Sequence, residues 1–556
     1  MVSILGKKQL QRYQTLVRVA TKYGFEHLVE RFNLHPLRSV KDRVTKTQAV
    51  HPELSDPERL RMMFEELGPT YIKLGQILST KEDLLPKEYI EELEKLQDDV
   101  PPFGYDDVCN IVAEEFGRPI DEMFETFSRE PVASASLGQA HIATLSGGKK
   151  VAVKVQRPGI KEVIDSDLQI LRDLARFAKH HIKEAKSFDP VGFVTEFERN
   201  LRAELDYTLE AQSTEEFRTT FSCDTIHVPA IWWDHTSQRV MTMEFIDGIK
   251  ITDIEAIGAA GLERTTLSRN FANSFLKQVF FCGMFHADPH PGNVFAMEGN
   301  VVAFIDFGMI GYLDRETRMD LVDFFIAIAD NDAGAVIKVI ESMGIINYDK
   351  IDVMQFRFEI SNLIHKYYGR SLRNMNTGEM MREMLQLALK YHGTVPPSLM
   401  MLSKALMTEE GICAQLDPDY NLQELAKPYI KKLTQKRMAP KEMLQEWVRM
   451  MPGLGRFVRA LPDRIDRALM RVEKGTLHIE FDKDVPHHIV SEFNLMSKRI
   501  SASLIVAAFI VAGALITHSR VGPHIYDIPL IGSTAFTIAG ILGIWLVYSM
   551  IMSGRS

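Results

Sequence analysis

Cysteine is scarce in this chain of 556 residues: Cys109, Cys223, Cys282 and Cys413 lie far apart and form no Cys-x-x-Cys pair. A disulfide framework and a cysteine-built zinc site are therefore not expected, and a reducing compartment fits. Glycine (34) and proline (24) are modest, and no internal repeat or low-complexity tract is present. With 46% hydrophobic residues, collagen-like, mucin-like and wholly disordered classes are excluded. No apolar stretch follows the first lysines, so no secretory signal peptide is expected. No charge sign dominates: 65 basic and 74 acidic residues give −9 in a chain that is 25% charged. The length is too great for one compact domain and predicts two or three units.

The ends differ from the middle. Ile500 to Thr517 and Ile528 to Met552 are uncharged apolar runs. Each is long enough for a bilayer core of about 30 Å, which predicts membrane helices at 500–518 and 528–552. The connector His518–Asp527 holds only Arg520, while Lys498, Arg499 and Arg555 flank the other side. The excess of positive charge then puts the large N-terminal part in the cytoplasm, at an inner (plasma) membrane. Ala535, Ala539 and Gly543 recur every four residues, as close helix packing requires. Residues 1–50 carry ten Lys/Arg against three acids, and 436–474 carry ten against five. Both read as basic amphipathic helices, with either a solvated basic face or one set against anionic lipid.

Between these ends, Ser55-Asp-Pro-Glu58 is a helix start with a capping side chain and Pro in the first turn. Leu60, Met63, Phe64, Leu67, Tyr71, Leu74 and Leu78 mark one buried face. Lys73 and Gln76 lie off that stripe and, on spacing alone, read as solvated. Val132 to Leu145 reads as two strands around a run of small residues, and Val151–Val155 as a short buried strand. Helical pattern fills Ile160 to Phe217, and strands return between Ile226 and Phe245. Nearly everything after Glu316 is helical.

Four features carry chemistry. Lys154 ends Val-Ala-Val-Lys on a strand, where a rigid backbone can aim an ammonium beneath a loop covering phosphates. Asp288 and Asn293 have the Asp-x4-Asn spacing of a phosphotransfer loop: the carboxylate can orient a hydroxyl or water, and the amide oxygen can ligate a divalent ion. Asp306-Phe307-Gly308 follows after an apolar strand and brings a second hard oxygen ligand, which suits magnesium with ATP phosphates. Each motif alone also fits an ordinary turn with an Asx cap; their order points to a kinase-like nucleotide site. His286 and His290 flank Asp288, but two histidines are too few for zinc, and His286 reads as a brace for the loop.

These residues, with Lys73-Leu-Gly75-Gln76, Ala133-Ser-Ala-Ser-Leu-Gly-Gln139, Glu204-Leu-Asp206, Glu210 and His286-Ala-Asp-Pro-His-Pro-Gly-Asn293, resemble the UbiB/ABC1/ADCK (COQ8-like) family of atypical kinases over roughly residues 55–330. The C-terminal hairpin resembles that of its bacterial members. The resemblance implies an α+β, two-lobed protein-kinase-like fold. Its parts would be basic helices at 1–50, a helical extension at 51–125, a small lobe with a helical insert at 126–250, a helical large lobe at 251–435, basic linker helices at 436–498 and the membrane hairpin.

It also implies roles. Lys154 would contact phosphates and pair with Glu210, and Asp288 would be the catalytic aspartate. Asn293 and Asp306 would hold Mg2+. Val132, Ala133, Ser134, Ala135, Ser136, Leu137, Gly138 and Gln139, with Lys154 and Glu244, would line ATP. Lys73, Gly75 and Gln76 would form a regulatory extension held by Glu204 and Asp206. The implied function is an ATPase or small-molecule kinase supporting isoprenoid-quinone synthesis, with membrane lipids, quinone precursors and quinone-synthesis enzymes as partners and no nucleic acid.

Local chemistry adds to this. Ala133 and Ala135 put Cβ atoms where ordinary phosphate loops have glycine, so the nucleotide grip should differ. Gly138 reads as easing the backbone's approach to phosphate. No long activation segment and no Ala-Pro-Glu follow Gly308. Competing readings are a phosphotransferase of the aminoglycoside-kinase kind, a protein kinase and an ATP-binding scaffold.

Overall fold

The computed structural model describes residues 7–32, 54–79, 85–96, 100–182, 189–221, 223–346, 351–368 and 377–437, then 504–508, 510–512, 514–515, 524–525, 528–529, 534 and 537–542. The chain divides into two units, Met1–Met443 and Leu444–Ser556.

The first unit opens with α1 (Lys7–Lys22) and α2 (Glu26–Arg31). Tyr13, Leu16, Val17, Val19 and Ala20 of α1 are buried against Met63, Phe64, Leu67 and Tyr71. Arg12 donates to the buried Asp167 carboxylate at 2.6 and 2.8 Å and to the Leu67 carbonyl at 2.6 Å. Lys22 pairs with Glu66 at 2.6 Å. The apolar stripe of α1 and two of its cations are thus taken up by the fold. A buried carboxylate needs such a partner, because an unpaired one is strongly destabilising.

The capping chemistry at Ser55 is as expected. The Glu58 carboxylate accepts from the Ser55 N–H at 2.8 Å, and Ser55 Oγ accepts from the Glu58 N–H. The expected single stripe is borne by two helices, α3 (Asp56–Leu67) and α4 (Pro69–Leu78). Gly68, at φ +92°, breaks them apart, a conformation that glycine adopts without Cβ strain. Next come α5 (Lys87–Leu93), α6 (Tyr105–Phe116) and α7 (Ile120–Met123).

The small lobe is a sheet of β1 (Thr126–Phe127), β2 (Ala133–Ser134), β3 (Gly138–Leu145), β4 (Lys149–Gln156) and β6 (Val240–Glu244). Its order is β1-β3-β4-β6, with β2 also on β3. Strand side chains alternate between faces. Val151, Val153 and Val155 bury one face against Val108, Ile111 and Val112 of α6. Ala152 meets Tyr207, Ala211 and Met241 on the other. The helical insert expected before Glu210 is α8 (Ile160–His181) and α9 (Pro190–Glu204), followed by α10 (Tyr207–Thr220). Ile164, Leu168, Phe197 and Leu201 of the insert share one core with α1, α3 and α4.

The large lobe holds β5 (Ile226–His227), β7 (Ile249–Lys250), β9 (Val294–Met297) and β10 (Val301–Phe304) in the order β5-β10-β9-β7. Strands β8 (Met284–His286) and β11 (Ile310–Tyr312) pair antiparallel. Its helices are α11 (Ile254–Ala259), α12 (Arg264–Lys277), α13 (Arg315–Ala329), α14 (Ala333–Ser342), α15 (Val353–Tyr368), α16 (Thr377–Lys390), α17 (Pro397–Leu416) and α18 (Leu422–Arg437). As expected, only β11 separates Gly308 from the next helix.

In the second unit, β12 (His524–Ile525) pairs antiparallel with β13 (Ile528–Pro529), so the chain reverses between the two apolar runs. Among the described residues, no helix is long and apolar enough to cross a membrane. The expected membrane spans therefore have no support there. Much of both runs, and the linker from residue 438 to 498, lies outside the described residues.

Candidate functional site

Lys154 on β4 forms an ion pair with Glu210 of α10, and its Nζ lies 3.6 Å from Asp306 Oδ2. The register Ala140–Lys154–Met241 sets this direction across three strands. Burial works against the lysine charge, but Asp306 and Glu210 outweigh it and hold the ammonium above lysine's ordinary range. Burial likewise pushes Glu210 up, against the pull of Lys154. For Asp306 burial also opposes the charge, yet Lys154, the Gly308 N–H, His286 and Lys73 bring it down to about 2. Asp306 is thus an ionised carboxylate at neutral pH, with its Oδ1 accepting from the Gly308 N–H at 2.9 Å.

His286 braces the loop as its spacing predicts. It is buried and stacks on Phe304 at 5.2 Å, and burial pushes its pKa down. Its Nδ1 accepts from the Asp288 N–H at 3.3 Å. The neutral ring therefore carries its proton on Nε2 and donates to the Asp306 carbonyl at 2.5 Å. One imidazole so ties the Asp288 loop to the Asp306 turn. Gln278 Oε1 accepts from the His286 N–H at 3.0 Å, out of a π-helical turn, Gln278–Cys282. Asn293 ends a 3₁₀ turn, and its carbonyl accepts from the Ile305 N–H at 3.1 Å, which sets it beside the strand leading to Asp306. Asp288 Oδ1 lies 3.3 Å from Lys404 Nζ of α17. Nothing in the sequence pattern marked Lys404, a charged position on a largely buried helix.

The small-residue segment is a closed hairpin. The Ala135 N–H donates to the Gly138 carbonyl at 2.8 Å, and the Val132 N–H to the Ala140 carbonyl at 2.8 Å. Leu137 at its tip is buried in the core shared by the N-terminal helices, the extension and the insert. Ser134 and Ser136 carry buried hydroxyls. Gly138 is a packing glycine here: a Cβ would strike the Tyr207 hydroxyl and the Val155 carbonyl.

Two residues expected at the nucleotide have their side chains engaged elsewhere. Gln139 pairs with Val155, one step out of phase with Lys154, so its side chain faces away from the lysine. It receives the Phe103 N–H at 3.0 Å, donates to the Phe103 carbonyl at 3.2 Å and fastens the chain before α6. Glu244 turns its carboxylate to His227 Nε2 at 3.0 Å and to the Ala230 N–H at 3.2 Å.

The chain matches the ABC1 atypical kinase-like domain over residues 95–340, the UbiB helical domain over 360–421 and the ABC1/UbiB kinase-like C-terminal domain over 486–552. It is 33% identical to a probable protein kinase UbiB of Marinobacter nauticus over 89% of this chain and 91% of that one. The chain belongs to the ABC1/UbiB family of atypical kinase-like proteins. An uncharacterised protein from the hydrogenase 1 5′ region of Clostridium pasteurianum is 31% identical over 98% of this chain and 99% of its own. A solved complex of Rv3197 with erythromycin from Mycobacterium tuberculosis aligns at TM-score 0.47 and 24% identity, covering 65% of this chain and 92% of that chain.

In the extension, Lys73 pairs with Glu204 of α9 at 3.1 Å, as the family resemblance implies. Gly75 lets α4 approach α3 and α5: a Cβ would meet Leu96, Phe64 and Leu93. Gln76 donates to the Leu96 carbonyl at 3.3 Å. Asp206, expected to hold the extension, has its side chain engaged at α10. It caps α10, accepting from the Thr208 N–H at 3.0 Å, and so fixes the helix that carries Glu210.

Proposed function

We propose that this protein binds Mg–ATP between its lobes and transfers the terminal phosphoryl group to water or to a small hydroxyl-bearing acceptor. The observation that carries this reading is the Lys154–Glu210 pair with Asp306 at 3.6 Å from the same ammonium. The donor set fits magnesium, because an ionised carboxylate and an amide oxygen are hard ligands. Magnesium takes few protein ligands, so Asp306 and Asn293 would hold it together with the phosphates of ATP. When bound, the metal neutralises phosphate charge. Lys154 holds the phosphates, Glu210 aims Lys154, and Asp288 orients the acceptor and takes its proton. The short passage from Gly308 to α13 leaves no peptide platform, which favours water or a small acceptor over a protein.

The family resemblance extends the proposal to isoprenoid-quinone synthesis, and the two uncharged runs extend it to a membrane anchor. The test is Mg2+-dependent nucleotide binding and ATP hydrolysis by the full chain, with and without liposomes. Lipid analysis of a deletion strain tests the pathway. Absence of Mg2+-dependent nucleotide binding refutes the site; an unchanged quinone and precursor profile refutes the pathway.

A further inference from the structure

Phosphoryl transfer forms one bond from an acceptor oxygen to the γ-phosphorus and breaks the bond to the β–γ bridging oxygen. The bond electrons leave with ADP, and the acceptor's proton goes to the Asp288 carboxylate. Beside the metal, negative charge developing at the transferring end is stabilised by a positioned side-chain cation. Lys154, aimed by Glu210 and 3.6 Å from Asp306, grips the phosphates from the small lobe in the reading above, and Lys73 pairs with Glu204. Between Lys277 and Arg315, a stretch that includes Asp288, Asn293 and Asp306, the sequence has no lysine or arginine. The loop therefore supplies no cation of its own.

From these observations, and resting on the Mg–ATP reading above, we propose that Lys404, from the stretch matching the UbiB helical domain, is the cation of the transferring phosphoryl group and holds Asp288 in position. Its Nζ lies 3.3 Å from Asp288 Oδ1, with both side chains partly open to solvent at 48% and 36% exposure. The helix that carries it is fixed in rotation. Glu410, one to two turns on, accepts from the Thr377 and Gly378 N–H groups at 2.9 and 2.7 Å. Glu409 accepts from the Tyr420 hydroxyl at 2.9 Å. Gly378 lets α16 and α17 touch, since a Cβ there would lie 2.7 Å from the Met407 backbone nitrogen. Ser268 of α12 donates to the Cys413 carbonyl at 3.2 Å on the far side. A residue aimed by such packing is held to a position, and its exposed head leaves room for an acceptor. The helical domain then completes the site instead of only supporting it.

Full-length Lys404→Met and Lys404→Arg are compared with wild type. Lys404→Met should lower kcat roughly ten- to a hundredfold, less than for an enclosed donor because Lys404 is half-exposed. KM for ATP should stay within about twofold, since ground-state grip rests on Lys154 and Asp306. A second readout needs no turnover. Wild type should bind ADP with fluoroaluminate, a mimic of the transferring group, more tightly than ADP; Lys404→Met should lose that gain and keep ADP affinity, and Lys404→Arg should restore most of it. Lys390→Met, which breaks the Lys390–Glu359 surface pair at 2.7 Å, is the control and should match wild type. Wild-type kcat and an undiminished fluoroaluminate gain in Lys404→Met overturn the proposal while leaving the Mg–ATP reading intact. Failure of wild type to bind Mg–ATP overturns both.

Discussion

Asp306→Asn separates a binding role from a structural one. The native carboxyl sits at about 2 against an ordinary value of 3.8. At about 1.4 kcal/mol per unit that difference is roughly 2 kcal/mol. The side chain is 44% exposed, so solvent screening reduces the contribution to about 1 kcal/mol or less. The sign is that of a depressed carboxylate: the stabilisation is present above the unfolded value and is lost as pH falls through about 2. The substitution also relieves Glu210, whose ionised form Asp306 opposes. Folding stability at pH 7 should therefore change little. Magnesium-dependent ATP affinity should fall at least ten- to a hundredfold, because a direct anionic ligand is lost. Titration calorimetry of ATP with and without Mg2+, beside a thermal melt, reads both quantities. Wild-type Mg–ATP affinity in the variant refutes the assignment. A collapse in melting temperature shows instead that Asp306 is structural.

Three further outcomes follow from the geometry. Gln139→Ala should lower stability by about 1–2 kcal/mol through the lost pair of bonds to Phe103 and leave ATP affinity within about twofold; a large fall in affinity would restore Gln139 to the nucleotide site. Gly138→Ala should destabilise by about 1–3 kcal/mol, read by denaturant unfolding, because the new methyl meets the Tyr207 hydroxyl and the Val155 carbonyl; an unchanged midpoint would show the hairpin yields freely. Glu409, buried and pushed from 4.5 up to about 8, makes the fold lose stability as pH rises between those values, since only the unfolded chain ionises there; Glu409→Gln should raise the melting temperature at pH 8, leave it level at pH 5, and fail as a reading if the two shifts are equal.

The sequence made the site legible where chemistry is local. Capping at Ser55, the strand bearing Lys154 and the Asp-x4-Asn turn are each written in a few consecutive residues, and the structure has them. It was less legible where strand phase decides. Gln139 and Ala140 are neighbours in sequence, yet only Ala140 is in register with Lys154. A run of small residues does not show which of its members turns inward. The N-terminal helix has a similar ambiguity: its basic face fits solvent or anionic lipid equally, and only Asp167, far along the chain, shows that Arg12 has a buried partner. Lys404 could not be found at all, because its meaning comes from a contact between distant segments.

Those distant contacts share a design. Three of the parts expected to meet ATP are backed by elements outside the two-lobed core. Leu137 pins the small-residue hairpin into the cluster formed by the extension and the insert, and Lys73 ties the extension to Glu204. Asp206, just after the insert, starts the helix that bears Glu210. Lys404 reaches Asp288 from the helical domain. Burying one leucine is worth about 1.5–3 kcal/mol, comparable to what a loop gains from a few phosphate contacts. An extension that holds Leu137 therefore competes on equal terms with nucleotide for the conformation of the hairpin. Release of that grip, for instance by Leu137→Ala, should change nucleotide affinity through the loop, because Leu137 is buried in the core that the extension and the insert share.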